Sequence, residues 1–326
     1  MSRHFKIVAI GGGPAGISLA IECIEMGIST KDILVLEKGS VPIDAIRKFY
    51  PEKKMTIANY KGLPTETHGH IPVFSDLTKA ETLTYYDELI KKYNIQMEYN
   101  SEVSKVIKKS SSFEILVGHD IITADFVAIG IGILGRPNKP TYKIPNTLRQ
   151  NILYDITSQK VEKMKVLVIG GGDTSSEYCQ VLVEEKNQVT LAYRGEAFGR
   201  MMKSNSLAVE RLQSTELLKV WLKCEIKEIQ DQGGRPHVLF VDESKYQMDF
   251  FDKVIFSIGG TTPVNFLKTI GVEFSGDWPK VGPNGDTNVP NLYLIGDLVA
   301  GKTGGSIIYA YNSAFRSATA IVASLK

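Results

Sequence analysis

The sequence predicts an α/β protein with two parallel-sheet domains, one of them inserted in the other. The first observation is an order of strand, glycine cluster, helix and strand that begins at Lys6 and recurs from Lys165. The second is the length of 326 residues, which is long for one compact domain and sufficient for two. The third is a C-terminal part that is too small to hold a core of its own, so we expect it to complete the first domain.

The first β-α-β unit consists of a short apolar run, residues at helical spacing and a second apolar run. These segments are Lys6–Ile10, Ile17–Met26 and Asp32–Leu36. Further along the chain, the periodicity predicts one amphipathic helix and three strands. They are Thr82–Tyr93, then Glu98–Lys108, Phe113–Val117 and Phe126–Ile131.

The second unit repeats this order. It contains the strand Lys165–Ile169, the cluster Gly170-Gly171-Gly172, a helix through Val183 and the strand Gln188–Tyr193. Three more strands are expected after it: Lys219–Gln230, His237–Asp242 and Lys253–Ile258. Since parallel strands need a covering crossover, both units predict a nucleotide-binding architecture.

Two breaks in regular structure mark where the chain crosses between the domains. They are Gly135–Pro140 and Gly259–Pro263. The C-terminal strand Leu292–Ile295 and helix Ser306–Ser324 then return to the first domain. The predicted boundaries are residues 1–136 with 262–326 for the first domain and residues 137–261 for the second.

Composition excludes several classes of protein. A net charge of +2 gives no electrostatic reason to expect nucleic acid as the main partner. The three cysteines, Cys23, Cys179 and Cys224, are far apart in sequence, so they form no Cys-x-x-Cys pair and offer no metal-ligand spacing. The N-terminus has no signal-peptide pattern, and no apolar stretch approaches the roughly 20 residues of a membrane span. We therefore expect a cytoplasmic protein without a metal site.

The first glycine cluster has the pattern G-x-G-x-x-G, formed by Gly11, Gly13 and Gly16. Between a strand and a helix, such glycines allow a tight turn, the approach of a pyrophosphate and close packing of helix on strand. The helix N-terminus adds free amides and a positive dipole end. Glu37 ends the next strand, where a carboxylate can accept the hydroxyls of an adenosine ribose. This combination predicts a dinucleotide site.

In the second cluster, Ser175 replaces the third glycine, and a small side chain there still permits close packing. The strand that follows ends at Arg194, and no acid occupies the ribose position. Arg194, with Arg200 as a second cation, can meet a 2′-phosphate through charge-assisted contacts, which favours NADP over NAD. Both arginines are also of a type that is common on solvated surfaces.

One nucleotide in each of two domains is the arrangement of a flavoprotein that takes hydride from a nicotinamide. Gly296-Asp297 supports this interpretation, because it follows a predicted strand and a carboxylate there can hold the ribityl or pyrophosphate part of a flavin. The predicted cofactors are therefore FAD and NADPH.

Taken together, these segments resemble the low-molecular-weight thioredoxin reductase superfamily over nearly the whole chain. The resemblance implies two Rossmann-like domains, an NADPH domain inserted in an FAD domain, a homodimer, and a domain rotation that brings NADPH to the flavin. For FAD it implies contacts from Gly11, Gly13, Pro14, Ala15, Gly16, Glu37, Lys38, Val103, Gly130, Gly296, Asp297, Ser306 and Ile307. For NADPH it implies Gly170, Gly172, Asp173, Thr174, Ser175, Glu177 and Arg194, to which the reading of the second cluster adds Arg200.

The chain departs from that family at the reactive cysteines. Thioredoxin reductases carry Cys-x-x-Cys just before the second glycine cluster, whereas Asn151–Gln159 contains no cysteine. Relatives of the bacillithiol-disulfide-reductase type place a cysteine in the first glycine loop, where this chain has Ala15. The arginine pair for the 2′-phosphate is half matched, by Arg194 with Gly195 beside it. We therefore expect no thiol relay.

Among members without these cysteines, the chain looks most like the flavodoxin:quinone reductase group of ε-proteobacteria. The segments that carry this similarity are Lys48–Tyr50, Asn59–Gly62, Gly69–Pro72 and Arg136–Pro145. The similarity implies NADPH oxidation, with electrons passed to flavodoxin, ferredoxin, a quinone or another external acceptor.

The leading hypothesis is thus an NADPH:acceptor oxidoreductase in which no side chain acts as a nucleophile and His70 has no catalytic role. Lys48, Lys53 and Lys54 are either a docking patch for an acidic electron carrier or a solvated charged face. Two alternatives stay open. A flavin monooxygenase shares both nucleotide motifs, although its F-x-G-x-x-x-H-x-x-x-W pattern is not found. A redox-silent flavoprotein that binds nucleotides or a partner would also retain both motifs.

Overall fold

The computed structural model describes residues 3–52, 54–56, 66–71, 75–132, 136–199, 201–241, 248–261, 263–301 and 305–326. The chain divides into two compact units. Unit 1 comprises Met1–Gly135 and Thr261–Lys326, and unit 2 comprises Arg136–Gly260. Arg200, Lys53, Pro72 and the segment Asn59–Gly62 lie outside the described residues.

The α-helices of the described residues are α1 (Pro14–Glu25), α2 (Asp44–Phe49), α3 (Lys79–Lys92), α4 (Asp173–Glu184), α5 (Lys203–Ser214), α6 (Val264–Ile270) and α7 (Ile307–Leu325). Short 3₁₀ turns occur at Thr30–Asp32, Asn146–Leu148 and Gly296–Val299. Among the described residues, no helix combines the length and the apolar character needed to cross a membrane.

The strands of unit 1 form one main sheet and two short antiparallel pairs. The main sheet contains β1 (Arg3–Ile10), β2 (Ile33–Leu36), β5 (Met97–Glu98), β6 (Val103–Lys108), β7 (Phe113–Val117), β8 (Asp120–Ile129) and β21 (Leu292–Leu294). The antiparallel pairs are β3 (Met55–Thr56) with β4 (Leu77–Thr78), and β19 (Phe274–Ser275) with β20 (Trp278–Pro279).

The strands of unit 2 form two sheets. The parallel sheet contains β10 (Ile152–Leu153), β11 (Lys165–Ile169), β12 (Gln188–Ala192), β13 (Leu218–Trp221) and β17 (Lys253–Phe256). The antiparallel sheet contains β14 (Ile226–Gln232), β15 (Arg235–Phe240) and β16 (Met248–Phe250). Two further short strands, β9 (Arg136–Pro137) and β18 (Gly260–Thr261), lie where the chain passes between the units.

The main sheet of unit 1 has the strand order β5-β2-β1-β8-β7-β6, with β21 beside β8. β1 runs parallel to both neighbours, so that Ile10 lies opposite Leu36 on one side and Ile129 on the other. Both faces are covered: Ile7 belongs to a core shared with α1, α3 and α7, whereas Val8 belongs to the core on the opposite face. Because β2, β1 and β8 run parallel, their carboxyl ends meet at one edge of the sheet.

The parallel sheet of unit 2 has the order β10-β17-β11-β12-β13. Its central strand β11 runs parallel to both neighbours, as β1 does in unit 1. Ile169 lies opposite Ala192 on β12 and Phe256 on β17. Val168 packs into a core with α4 and α5, and Leu167 packs into the core on the other face. Unit 2 thus has its own buried layers on both sides of its sheet.

Two segments expected to be single strands are each divided in the structure. Glu98–Lys108 contains the end of β5 and the whole of β6, which pair with different neighbours, and Asn100 between them has φ +53°. Lys219–Gln230 contains most of β13, in the parallel sheet, and the start of β14, in the antiparallel sheet. Lys223 between them has φ +52°. A left-handed residue turns the chain out of the extended direction, so a continuous strand was the wrong prediction.

Other segments follow the expectations with shifted ends. α3 begins at Lys79 rather than Thr82, because Thr78 and Glu81 form a capping box. α7 begins directly after Ser306, whose hydroxyl accepts a hydrogen bond from the Tyr309 amide at 3.0 Å. The sequence analysis missed the short helices α2 and α6, and α5.

Candidate functional site

The first glycine loop joins β1 to α1 at the carboxyl edge of the sheet. Gly11 has φ +113° and donates its amide to the Leu36 carbonyl at 2.8 Å. A Cβ at Gly11 would lie 2.5 Å from the Gly130 carbonyl oxygen, and one at Gly16 would lie 2.0 Å from the Gly11 carbonyl oxygen. Both contacts are with backbone, which cannot move aside. These two glycines are therefore required by the fold itself.

Gly13 differs from them because nothing lies within 4 Å of the position its Cβ would take. It is the N-cap of α1, Pro14 follows it at the start of the helix, and no side chain caps this helix end. The open space and the uncapped helix N-terminus suit a group that is negatively charged and larger than a methyl, such as a pyrophosphate.

Ala15 lies where three backbone segments converge. A Cβ at Gly296 would be 2.9 Å from the Ala15 Cβ, and one at Gly130 would be 3.4 Å from it. Gly130 directly follows β8 and donates its amide to the Ile10 carbonyl at 2.8 Å. Ala15 thus places a buried methyl group at the position where the resemblance to bacillithiol-type reductases leads one to look for a cysteine.

Glu37 is 8% exposed and lies directly after β2. Its two carboxylate oxygens accept hydrogen bonds from the Gly12 and Gly39 amides, each at 2.7 Å. Each oxygen keeps a second lone pair, so this geometry leaves capacity for hydroxyl donors. The structure thus fixes the carboxylate at the edge of the glycine loop, where the dinucleotide motif requires it.

Four further candidates of unit 1 are Lys38, Val103, Ser306 and Ile307. Lys38 is exposed. Val103 begins β6, two residues beyond Ser101, whose amide donates to the Glu37 carbonyl at 2.8 Å. Ser306 caps α7 and Ile307 is its first residue.

Gly296 and Asp297 follow β21 and open a 3₁₀ turn. Gly296 has φ +67° and donates its amide to the Ser313 hydroxyl at 2.9 Å. Burial raises the pKa of the Asp297 carboxyl, and a Cβ at Gly305 would lie 2.0 Å from one of its oxygens. Hydroxyl donors of a bound group would stabilise this partly desolvated charge.

The second glycine loop joins β11 to α4 in the same manner. The Gly170 amide donates to the Ala192 carbonyl at 3.0 Å, and a Cβ at Gly170 would lie 2.2 Å from the Ser257 carbonyl oxygen. Gly172 is the N-cap of α4 with open space around it, and its amide donates to the Ser175 hydroxyl at 3.0 Å. The serine at the third glycine position thus supports the helix start.

Asp173 serves the start of α5. Its Oδ1 accepts hydrogen bonds from the Met202 amide at 2.7 Å and from the Asn205 side chain at 3.0 Å. Thr174 is exposed at the second position of α4, and Glu177 is half-buried on the same helix. The geometry therefore gives Asp173 a positioning task that sequence reasoning had not indicated.

Arg194 is exposed, two residues beyond the end of β12, and Arg200 lies outside the described residues. Three further residues take part in these loops and were missed by the sequence analysis: Gly39, Tyr193 and Ser257. The first two directly flank residues that the motifs had singled out. Ser257 became visible only through the pairing of β17 with β11.

His70 contacts α1 rather than a glycine loop. Its backbone amide and its Nδ1 lie 2.8 Å and 2.7 Å from the two oxygens of Glu22, which is 1% exposed. Nearby, Asn312 of α7 accepts from the His68 amide at 2.9 Å. Residues 66–71 are thereby held on α1 and α7, which gives His70 a structural role in this arrangement.

The three cysteines are free, buried and in separate hydrophobic clusters. Burial and the neighbouring Glu22 raise the pKa of Cys23 to about 12, and burial raises the pKa of Cys179. Since the thiolate is the reactive form, such thiols are inert at neutral pH. Within the described parts of the chain, no cluster of His, Cys, Asp and Glu side chains is arranged to hold a metal ion.

Comparison with known families shows to which family this chain, with its two glycine loops, belongs. Residues 8–296 match the model of a family described as pyridine nucleotide-disulphide oxidoreductase. The chain belongs to the pyridine nucleotide-disulphide oxidoreductase family. It is an oxidoreductase with a thioredoxin reductase-like fold, and membership of this family implies FAD and NADPH as its cofactors.

Curated relatives within this family differ in the acceptor they name. A ferredoxin–NADP reductase of Ignicoccus hospitalis is 27% identical over 298 residues, 89% of each chain. The bacilliredoxin reductase Bdr of Bacillus subtilis is also 27% identical, over 311 residues that span 93% of this chain and 92% of the relative. Both comparisons support electron transfer through a flavin, and they leave the acceptor undecided.

Solved structures share the fold. The bacillithiol disulfide reductase Bdr of Staphylococcus aureus superposes with a TM-score of 0.85 at 22% identity, over 99% of this chain and 100% of that chain. The thioredoxin reductase of T. acidophilum superposes with a TM-score of 0.80 at 20% identity, over 99% of each. The mixed α/β architecture predicted from the sequence is thereby confirmed.

Proposed function

We propose that this protein is an NADPH-dependent flavoprotein reductase that passes electrons to an external acceptor without a cysteine relay. In this proposal unit 1 binds FAD and unit 2 binds NADPH, which are the roles expected for the domains predicted at residues 1–136 with 262–326 and at residues 137–261. When bound, FAD accepts a hydride from NADPH and releases electrons singly or in pairs. The work of the polypeptide is to bind and orient both nucleotides.

The burial and separation of the three thiols carry this proposal. Cys23 lies in the core shared by α1, α3 and α7, Cys179 faces the core of α4 and α5, and Cys224 packs in the core on the opposite face of the unit 2 sheet. A relay needs two thiols that meet and a reactive thiolate. The resemblance to bacillithiol-type reductases points to one other position for a reactive cysteine, in the first glycine loop, and this chain has Ala15 there.

The proposed roles of the site residues follow from their contacts. The uncapped start of α1 and the open space at Gly13 receive the pyrophosphate of FAD. Glu37 accepts the ribose hydroxyls, and Asp297 faces the polar chain of the flavin nucleotide. In unit 2 the start of α4 receives the NADPH pyrophosphate and Arg194 pairs with the 2′-phosphate, while Asp173 holds residues 202–205 beside the loop.

The test is anaerobic reduction of the purified yellow protein by NADPH, followed by reoxidation with ferredoxin, flavodoxin, a quinone, thioredoxin or bacillithiol disulfide. We expect flavin bleaching and rapid reoxidation by the first three acceptors only. The triple variant Cys23→Ser/Cys179→Ser/Cys224→Ser should retain both steps. Loss of acceptor reduction with FAD and NADPH still bound would disprove the direct route. Bleaching that never occurs would indicate a redox-silent protein, and oxygen incorporated into a substrate would indicate a monooxygenase.

A disulphide reductase is the second candidate, because the family description and the Bacillus subtilis relative both name that chemistry. It requires that the flavin reduce an external disulphide without help from a protein thiol. Turnover of bacillithiol disulfide or a bacilliredoxin that persists in the triple cysteine variant would establish this alternative. Turnover that disappears in that variant would show that a buried thiol becomes accessible.

For the acceptor, we propose an acidic one-electron carrier of the ferredoxin or flavodoxin type, or a quinone, as in the flavodoxin:quinone reductase group of ε-proteobacteria. The names of the ferredoxin–NADP reductase relatives support the carrier class. The exposed Lys48 lies over the Phe49 ring with its Nζ 5.4 Å from the centroid, beside other basic residues of that segment. Reoxidation by an acidic carrier should therefore slow as salt rises, and Lys48→Glu should slow it further.

The proposal also includes a homodimer, which the family resemblance implies, and a cytoplasmic location, where NADPH is supplied. Sedimentation equilibrium of the FAD-loaded protein should give twice the mass of the chain. A concentration-independent monomer that is fully active would remove the dimer from the proposal.

A further inference from the structure

The two glycine loops correspond residue by residue, and this correspondence assigns a role to Tyr193. In unit 1, Ile10 lies opposite Leu36, and the next residues are Gly11 and Glu37. In unit 2, Ile169 lies opposite Ala192, and the next residues are Gly170 and Tyr193. The Gly11 amide donates to Leu36 at 2.8 Å and the Gly170 amide to Ala192 at 3.0 Å. Tyr193 therefore occupies in unit 2 the position that Glu37 occupies in unit 1.

Packing confirms this correspondence. A Cβ at Gly12 would lie 2.9 Å from the Glu37 Cβ, and a Cβ at the equivalent Gly171 would lie 2.4 Å from Cε2 of Tyr193. The backbone of each loop thus rests directly on the side chain that follows the second strand. Where unit 1 presents a buried carboxylate to a ribose, unit 2 presents an uncharged aromatic ring.

A second glycine holds the other side of this ring. Gly195, two residues beyond Tyr193 as Gly39 is beyond Glu37, would place a Cβ 2.5 Å from Cε1 and 2.9 Å from Cζ of Tyr193. Phe198 stacks on the same ring, with centroids 5.5 Å apart and an interplanar angle of 23°. The ring is thereby enclosed by Gly171, Gly195 and Phe198. Position 195 has no room for a side chain while Tyr193 is in place.

We propose that Tyr193 is a specificity-determining residue that makes unit 2 select a 2′-phosphorylated dinucleotide with Arg194 and without a second arginine at position 195. It removes the carboxylate that would bind a free 2′-hydroxyl and would repel a 2′-phosphate. By excluding a side chain from position 195, it leaves that position without a second cation beside Arg194, which adjoins Tyr193 in sequence. The proposal rests on the assignment of NADPH to unit 2.

The first experiment uses Tyr193→Glu in the full-length, FAD-loaded protein. The carboxylate should take the place that Glu37 takes in unit 1, so the ratio of kcat/KM for NADPH to that for NADH should fall about 100-fold, through KM rather than kcat. Calorimetric titration should show weaker binding of adenosine 2′-monophosphate by a similar factor. Tyr193→Phe keeps the ring and should leave the ratio within about twofold. Ala197→Glu adds the same charge at an exposed neighbouring position and should change it far less than Tyr193→Glu.

The second experiment tests the enclosure of the ring. Gly195→Arg should weaken binding of adenosine 2′-monophosphate about tenfold, because the new side chain displaces Tyr193. Combining it with Tyr193→Ala makes room for the second arginine, and binding should return to the parental level or exceed it. This pair of variants decides the question even if Tyr193→Glu does not fold.

Two results would overturn the inference while leaving the proposed function intact. One is an unchanged coenzyme ratio in a folded Tyr193→Glu variant that still binds adenosine 2′-monophosphate. The other is a Gly195→Arg variant that binds this ligand as well as the parent does. Failure of the parent to bind any adenosine nucleotide at unit 2, with FAD still present, would instead overturn the assignment of NADPH on which the inference rests.

Discussion

At the scale of single residues, Asp297 and Arg194 differ in whether a substitution affects the stability of the fold as well as ligand binding. Asp297 is half-buried in a 3₁₀ turn, and desolvation raises the pKa of its carboxyl. Arg194 is exposed and has little to do with the core. A substitution at Asp297 should therefore affect both folding and FAD binding, whereas one at Arg194 should affect nucleotide binding alone.

We predict that Asp297→Asn raises the melting temperature of the apoprotein and weakens FAD binding. Because the carboxyl ionises at a lower pH in the unfolded protein than in the folded one, the parent loses stability between the unfolded-state pKa and the raised folded-state pKa. The stabilisation by Asn should be absent below about pH 4, the unfolded-state value, should grow as the pH rises to the folded-state pKa, and should stay constant above it. Melting curves from pH 3 to 8 and FAD titrations measure both effects.

Asp277→Asn is the matched control for that prediction, because Asp277 is exposed in a turn of the same unit. It should leave the melting temperature and FAD binding nearly unchanged at every pH. An Asp297→Asn variant that is less stable than the parent at neutral pH would contradict the prediction.

We predict that Arg194→Ala raises the KM for NADPH with little change in kcat or in the KM for NADH. One lost charge-assisted contact should reduce binding by about 1.5–3 kcal/mol. Steady-state kinetics with both coenzymes provide the measurement, and Arg211→Ala, also exposed in unit 2, is the control. Equal NADPH kinetics in Arg194→Ala and the parent would exclude Arg194 from the site.

At the scale of elements, the strand–glycine loop–helix unit combines glycines of two kinds. Gly16 is needed because α1 lies directly on the Gly11 carbonyl, whereas Gly13 faces open space. The G-x-G-x-x-G pattern does not distinguish these tasks, because it records the residue type and not what surrounds it. The structure distinguishes Gly16, which the packing of the fold requires, from Gly13, which the proposed ligand site requires.

Substitution by alanine should reveal this difference. Gly16→Ala should destabilise the apoprotein by more than about 3 kcal/mol, because the methyl group collides with backbone. Gly13→Ala should change stability by about 1 kcal/mol or less, but should weaken FAD binding strongly, because the methyl group fills the space that the pyrophosphate needs. Urea unfolding of apoprotein and FAD titration are the measurements. Equal effects of the two variants on either quantity would refute the distinction.

At the scale of the whole molecule, unit 2 is formed by one continuous segment of the chain, whereas unit 1 is formed by two. Unit 2 is one segment with cores on both faces of its sheet. Unit 1 is assembled from both ends of the chain, because Ile308 and Ala314 of α7 share a core with Ile17 and Ile21 of α1. β21 from the C-terminal part also pairs with β8.

We predict that residues 136–260 fold as an isolated fragment, unfold cooperatively in urea and bind adenosine 2′-monophosphate. Residues 1–135 alone should not fold, because α7 and β21 are missing from their core and sheet. Circular dichroism, urea titration and calorimetry test both fragments. A cooperative transition in the 1–135 fragment, or none in the 136–260 fragment, would show that the core assignment is wrong.

The sequence by itself determined the α/β class, both glycine loops and the absence of a Cys-x-x-Cys pair, whereas the separation of the three distant cysteines came from the structure. These features depend on neighbours close in the chain: an apolar run, glycines in fixed register and a small residue at Ser175 set the local geometry wherever the segment lies. The positions of Glu37 and Gly296 followed from the same local rules. Their function as ligand-binding residues stays a prediction.

Only the tertiary structure decided which strands pair, which polar groups are buried together and which residue faces each loop. Asn100 and Lys223 divide segments that local patterning joined. β5 and β6 pair with different strands of the main sheet, and β13 and β14 belong to different sheets. Tyr193 became the counterpart of Glu37 through the register of β11 with β12, and Asp173 became a support for α5 through Met202. These outcomes depend on contacts between residues far apart in the chain, and such contacts leave no local periodicity in the sequence.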